Sequence, residues 1–100
     1  MKIRIQNNSL RIRLNEREVA ELNNGHQFNS KTSFPTGELI FNLAAGSGNS
    51  AELNGSSVSI IVAQSTVEQW ATTNEITIAM EFPLSNEKNL SILVEKDIKV

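Results

Sequence analysis

Charged and apolar residues alternate in the two short runs that open the chain. Residues 2–6 read KIRIQ and residues 10–14 read LRIRL. An alternation of period two that includes β-branched residues predicts two half-buried strands. Asn7-Asn8-Ser9 between the runs predicts a turn, because asparagine tolerates the left-handed backbone region. We therefore expect the chain to begin with a hairpin.

The pattern that follows this hairpin is typical of a short helix. Asn15 suits the N-cap position, and acidic residues follow it in the first turn. Val19 and Leu22 lie three positions apart and would share one side, and Gly25 is a suitable stop. The pattern predicts a helix over residues 16–24.

The rest of the chain predicts further strands and a second helix. We expect strands over residues 26–34, 38–44, 58–63, 76–82 and 90–100. Ser65 and Glu68 fit a capping box for a helix over about residues 66–72. Residues 45–57 hold three of the five glycines, so we interpret them as the most mobile segment, with a short hairpin at Asn54-Gly55 as an alternative. The sequence indicates no internal repeat.

These elements predict a single α+β domain over residues 1–100. Six to seven strands joined mostly by short turns indicate a mostly antiparallel sheet, with the two short helices on one face. Closure of that sheet into a barrel is left open. The apolar fraction of 39% and charged fraction of 20% are typical of a globular domain rather than a disordered segment.

The residue inventory excludes several kinds of chemistry. The chain has no cysteine and one histidine, His26, which argues against disulfides, thiolate chemistry and zinc sites. The glycine-rich stretch GSGNS lacks the lysine ending of a phosphate-binding loop. We therefore predict no catalytic residue, no metal and no cofactor, and we favour a protein that is not an enzyme. A carboxylate site for magnesium is the alternative left open.

The sequence also bears on location and on the class of partner. No apolar run reaches the roughly eighteen residues of a membrane helix, and the N-terminus lacks the apolar stretch of a signal peptide. We therefore expect a cytoplasmic protein without a membrane contact. The net charge of −2 gives no reason to expect nucleic acid as a partner.

Positive charge is concentrated at the start of the chain. Residues 1–17 carry a net charge of +4, because five cations face only one acidic residue there, and residues 18–80 carry −5. If the first two strands pair, four cations project from the side opposite the aliphatic residues: Lys2, Arg4, Arg11 and Arg13. Like charges side by side on a sheet repel each other. Negative charge is therefore expected nearby.

Two sources could supply that negative charge. One is internal, since Glu81, Glu95 and Asp97 alternate with apolar residues in the last two strands and could lie beside the arginines. The other is a phosphate, a nucleotide or an acidic partner held by arginines that bind with two nitrogens. We favour internal pairing, and the choice depends on the order of strands in the sheet.

Both ends of the sequence resemble a small family of uncharacterised bacterial proteins, found mainly in Bacteroidetes-type genomes. These proteins begin with a KIRI…SLRIRL…EV pattern and end with an ILVEKD strand, as in MKIRIQNNSLRIRLNEREV and SILVEKDIKV here, and Trp70-Ala71-Thr72 also fits a recurring position. The resemblance implies a shared fold and no particular activity. Members of that family often continue into an acidic or cysteine-containing tail.

Leu10-Arg11-Ile12-Arg13 is also similar to the LRIR strand of triphosphate tunnel enzymes of the CYTH type. Those enzymes have a closed barrel lined by alternating charges and hold metal on a Glu-x-Glu-x-Lys strand. This chain has Lys2-Ile3-Arg4-Ile5-Gln6 where such carboxylates would begin. The leading hypothesis is thus a non-enzymatic domain that acts through protein contacts or self-association. The alternative is a protein that binds phosphate or nucleotide at the basic hairpin.

Overall fold

A computed structural model describes residues 1–97 of the chain. Eight strands and two helices lie within those residues. Their bounds are β1 Lys2–Gln6, β2 Ser9–Leu14, α1 Glu16–Asn23, β3 Phe28–Phe34, β4 Gly37–Gly46, β5 Ser50–Asn54, β6 Ser57–Ala63, α2 Gln64–Thr72, β7 Thr77–Pro83 and β8 Asn89–Lys96. The expected strands and helices are all present, although residues 98–100 of the last predicted strand lie outside the described part. Residues 45–57, which we interpreted as mobile, contain β5. This strand forms a hairpin with β6, which is the alternative that Asn54-Gly55 suggested.

The strands form two four-stranded sheets instead of one sheet of six to seven strands. The first sheet has the order β1-β2-β8-β7 and the second has the order β3-β4-β6-β5. The outer pairs are antiparallel, whereas the central pairs, β2 with β8 and β4 with β6, are parallel. The predicted single sheet is therefore wrong and the sheets do not close into a barrel, although four of the six strand pairs are antiparallel. Short turns reveal only pairs of consecutive strands, whereas the central pairs join strands that do not follow each other in the chain.

The first helix begins as the sequence predicts. Asn15 accepts a hydrogen bond from the Glu18 amide through Oδ1, and its own amide donates to Glu18 Oε1, each at 2.9 Å. This reciprocal pair is a capping box. The Met1 amino group also forms an ion pair with Glu18. Glu18 therefore stabilises the start of α1 through its hydrogen bonds with Asn15 and its ion pair with the N-terminus.

The second helix does not begin as predicted. Ala63 occupies its N-cap without a side-chain hydrogen bond, so the capping box proposed for Ser65 and Glu68 is wrong. The cause is that β6 runs directly into α2, which moves the start of the helix ahead of Ser65. The helices also do not cover one face of a single sheet. α1 contacts β2 and β4, α2 contacts β4, β6 and β7, and the two helices contact each other.

The chain contains an internal structural repeat that the sequence analysis missed. The order β-β-α-β-β occurs twice, and each half gives one hairpin to each sheet. The registers match: β2 pairs with β8 through Leu10 opposite Ile92, and β6 pairs with β4 through Val58 opposite Phe41. The first turn of each half has a residue with positive φ at the equivalent position, Asn7 at 51° and Gly55 at 59°. The two halves are thus related by an approximate two-fold axis.

The core is built from the equivalent positions of the two halves. Within the described residues, the buried apolar side chains of both sheets and both helices form one cluster. Four equivalent pairs of fully or nearly fully buried side chains contribute to it: Ile12 and Ile60, Leu14 and Val62, Val19 and Val67, Leu22 and Trp70. Only two of these four pairs are identical residues, so the repeat is weak in the sequence. Trp70 Nε1 donates to the Ile76 carbonyl oxygen at 2.8 Å, which satisfies its polar atom inside the core.

Equivalent core positions should contribute equally to stability. Ile12 and Ile60 are each 2% exposed, so Ile12→Ala and Ile60→Ala should each lower the free energy of unfolding by about 3 kcal/mol, through lost burial and a cavity. Ile76, which is 49% exposed, provides the control, and Ile76→Ala should cost less than about 1 kcal/mol. Urea denaturation measures all three. A large difference between the first two variants would contradict the equivalence of the halves.

Glu18 should make stability depend on acid pH. Partial burial opposes its ionisation, but hydrogen bonds from the Met1 amino group and the Asn15 amide, with the positive charges of the N-terminus and Arg17, prevail and lower its pKa below 4.5. A lowered pKa stabilises the folded state above the unfolded pKa, and that stabilisation is lost as the pH falls through the folded pKa. Glu18→Gln should therefore lose less stability than the wild type between neutral pH and about pH 3. Equal losses in urea titrations would refute this role.

Candidate functional site

The four cations predicted to share a face do so on the outer side of the first sheet. Lys2 lies opposite Arg13, and Arg4 lies opposite Arg11. We call these four residues the basic face. Two cross-strand pairs of like charge are therefore adjacent in one hairpin, an arrangement that costs stability unless negative charge compensates it. The four side chains also line a shallow cleft of about 170 Å³, together with Ile3.

Glu95 compensates part of this charge. Its Oε1 lies 3.3 Å from Arg11 Nε and 3.4 Å from Arg13 Nε. It reaches both arginines because β8 pairs with β2 in the register that puts Glu95 opposite Arg13. Thr77 Oγ1 donates to the other carboxylate oxygen at 3.4 Å. The single negative charge of Glu95 is thus shared between two guanidinium groups, and it compensates one of their two positive charges.

The other two acidic residues named from the sequence differ in position. Asp97 Oδ2 lies 3.0 Å from Lys2 Nζ. Glu81 lies opposite Ser91 on the edge strand β7, so β8 separates it from the basic face and it forms no ion pair within residues 1–97. The structure therefore brings Glu95 and Asp97 to the cations and leaves Glu81 apart.

Arg4 differs from the other cations of the basic face because its side chain has no hydrogen bond or ion pair within the part of the chain that the structure describes. Its row across the sheet continues through Arg11 to Leu93 and Ala79. The neighbouring row runs from Lys2 through Arg13 to Glu95 on β8. Glu95 there takes the position that Leu93 has in the row of Arg4. One row thus contains two arginines followed by apolar side chains and no carboxylate.

The internal repeat shows which of these residues the fold itself requires. The positions on the second sheet that correspond to Lys2, Arg4, Arg11 and Arg13 are occupied by Ser50, Glu52, Ser59 and Ile61. The same architecture therefore forms without cations at these four places. The core positions keep their apolar character in both halves. The basic face is consequently a property of one sheet and not a requirement of the fold.

A second surface of interest lies at the end of the sheets away from the helices. Of the large apolar side chains that are exposed within residues 1–97, four lie there: Ile5 at 56%, Phe34 at 55%, Leu53 at 70% and Leu84 at 39%. We call these four residues the apolar end. They lie near the four hairpin turns, whereas the helices follow the opposite ends of β2 and β6. The repeat relates Ile5 to Leu53 and Phe34 to Leu84.

The surroundings of the apolar end include further apolar side chains and turns with few charged residues. Half-buried side chains that pack against the core lie beside it, among them Leu39, Val58, Phe82 and Leu90. The four turns at this end comprise residues 7–8, 35–36, 55–56 and 84–88. Their charged residues are Glu87 and Lys88. The sequence did not indicate this surface. Alternation of apolar and polar residues assigns the apolar ones to the inner face of a sheet, but it does not show where the core ends.

Other features give weaker indications of a site. His26 is a surface residue beyond the C-terminus of α1, with its Nε2 3.9 Å from Glu21 Oε2. Residues 1–97 contain no group of three or more histidine, cysteine or acidic residues placed to hold a metal ion, and no helix among them is long and apolar enough to cross a membrane. A larger cleft lies between the helices and the end of β8. Lys96 and Asp97 line it on the side of β8.

Comparisons with known proteins identify a family. The model of a family described as a family of unknown function, DUF7009, matches residues 1–100. Comparison with curated proteins found no match, and comparison with solved structures found none. The family match agrees with the resemblance to uncharacterised proteins noted in the sequence and assigns no activity.

The compensating role of Glu95 can be tested through stability. Glu95→Gln leaves Arg11 and Arg13 without their shared carboxylate, so it should lower the free energy of unfolding by about 1 kcal/mol at low ionic strength. Salt at about 0.5 M should reduce that loss, because it screens the repulsion between the exposed arginines. Glu81→Gln is the matched control and should have little effect. Equal effects of the two substitutions in urea titrations would show that Glu95 does not compensate the basic face.

Proposed function

Because the chain belongs to the DUF7009 family, whose function is unknown, we propose a function from its own surfaces: a binding domain that associates with a second copy of itself through the apolar end. The observation that carries this proposal is the exposure of Ile5, Phe34, Leu53 and Leu84 at one end of the molecule. Single exposed apolar residues are normal on proteins, whereas four large ones at the same end of a small domain favour an interaction surface there.

The chemistry of the apolar end favours an identical partner. In a two-fold symmetric contact the same patch meets itself, so any charge near the axis meets an identical charge. The turns around this end have only Glu87 and Lys88 as charged residues. Charged residues such as Glu38 and Glu52 lie on the strands beside these turns. The four side chains of the apolar end carry no charge themselves, so they can meet their own copies without repulsion.

The layout of the patch and the size of the molecule agree with such a contact. The repeat places Ile5 and Leu53 at equivalent edges of the two sheets, and Phe34 and Leu84 at the other two edges. The apolar end is thus approximately symmetric by itself. The molecule measures 39 × 34 × 29 Å, so one end has the size that a standard interface needs, roughly 800 Å² per partner.

Self-association should depend on the apolar end and on concentration. Light scattering after size-exclusion chromatography should give a molar mass that rises from monomer towards dimer with concentration. The double variant Phe34→Ser/Leu53→Ser should remain monomeric, because it removes two side chains that are each more than half exposed. Ile76→Ser is the control, since Ile76 is also exposed but lies near the helices, and it should behave as the wild type does.

Two results would overturn the proposal. A wild type that stays monomeric at every concentration would show that the apolar end does not bind its own copy. A dimer that persists in the Phe34→Ser/Leu53→Ser variant would show that another surface carries the contact, and the free edge of β3 would be the first place to look.

A further inference from the structure

The basic face supports a separate inference that does not depend on self-association. We propose that Arg4 and Arg11 form a binding site for a phosphate monoester whose ester group is apolar or aromatic, and that Glu95 limits the affinity of this site.

The two arginines are placed to bind one anion together. Arg4 and Arg11 are directly opposite on neighbouring antiparallel strands, where Cα atoms lie about 4.5 to 5.5 Å apart. Both side chains project from the outer face, and Arg11 is 37% exposed. A guanidinium group presents several donors in one plane, which suits the oxygen atoms of a phosphate group. The pair can therefore donate to different oxygens of the same phosphate.

The charge balance of the basic face indicates the charge of the ligand. The basic face has four cations, and three of them form ion pairs of 3.0 to 3.4 Å with two carboxylates, Glu95 and Asp97. Arg4 has no partner within the described residues, and Arg11 shares Glu95 with Arg13. About two positive charges therefore lack compensation. A phosphate monoester carries about −1.5 to −2 charges at neutral pH, whereas a carboxylate carries only one.

The neighbours of the arginines indicate what the phosphate is attached to. The row from Arg4 through Arg11 continues to the half-buried Leu93 and then to Ala79. An ester group that extends along this row lies over apolar side chains. Burial of that apolar surface adds to the affinity. A phosphate with an apolar ester group should therefore bind more tightly than inorganic phosphate.

The alternative explanation is that the cations form an ordinary solvated face. Two observations weigh against it. Directly opposed like charges destabilise a hairpin, so a solvated face gains nothing from them. The equivalent positions of the second sheet are Ser50, Glu52, Ser59 and Ile61, so the fold forms there without four clustered cations.

Glu95 reduces the positive charge that the basic face offers to an anionic ligand. Its carboxylate lies 3.3 Å from Arg11 Nε, and it repels an approaching phosphate as well as neutralising the guanidinium that would bind it. Removal of this charge should therefore strengthen binding. A purely structural role for Glu95 would not give this result, because a loss of structure weakens binding.

The test is isothermal titration calorimetry of the full chain with phenyl phosphate and, separately, inorganic phosphate. Phenyl phosphate should bind the wild type more tightly than inorganic phosphate, and added salt should weaken the binding. Arg4→Gln should weaken phenyl phosphate binding by about tenfold. Glu95→Gln should strengthen it by about threefold. Arg17→Gln is the matched control, because Arg17 is an exposed arginine on α1, away from the basic face, and its loss changes the net charge equally.

The following results would overturn the inference. If phenyl phosphate does not bind the wild type, the site does not exist. If Arg4→Gln and Arg17→Gln weaken binding equally, the effect comes from net charge and not from a site. If Glu95→Gln weakens binding, Glu95 supports the site instead of limiting it. If inorganic phosphate binds as tightly as phenyl phosphate, the apolar row takes no part.

Discussion

The parallel pairing of β2 with β8, and of β4 with β6, is the constraint on which the rest of the structure depends. Each pair joins strands from different halves of the chain. This pairing places all four hairpin turns at one end and both helices at the other. It also puts Glu95 opposite Arg13 and within reach of Arg11. Both candidate surfaces therefore result from the same two strand pairs.

The internal repeat shows which positions must stay apolar for the fold and which surface positions can differ between the two halves. Positions such as Ile12 and Ile60 are buried to the same extent in both halves, because each half must close the same core. The outer faces share no such constraint, and the arginines of the first sheet correspond to serine, glutamate and isoleucine in the second. In a chain whose family has no assigned function, this comparison within the molecule identifies the residues that require another explanation.

Local features of the fold could be predicted from the sequence, whereas the arrangement in space could not. Alternation in residues 2–14 indicated the first hairpin, and Asn15 indicated the start of α1. The two sheets were missed because strand order depends on pairs such as Leu10 and Ile92, which no local pattern reports. The start of α2 was misplaced because a strand that runs directly into a helix leaves no loop for a side-chain cap.

The candidate sites show the same division. Alternation predicted that Lys2, Arg4, Arg11 and Arg13 share a face, yet it could not choose among three acidic residues as their partners. Strand order brought Glu95 and Asp97 to the cations and left Glu81 on the edge strand. The exposed positions of Phe34 and Leu53 depend on where the core ends, which requires the positions of all eight strands.

The most direct test of this account is a measurement of nuclear Overhauser effects between backbone protons of the central strands. The account predicts contacts between Ile12 and Val94 in one sheet and between Leu43 and Ile60 in the other, both in parallel register. Contacts that place β8 beside a strand other than β2 and β7, or that show an antiparallel register with β2, would contradict it. In that case neither the charge pairing of Glu95 nor the positions of the two candidate surfaces would hold.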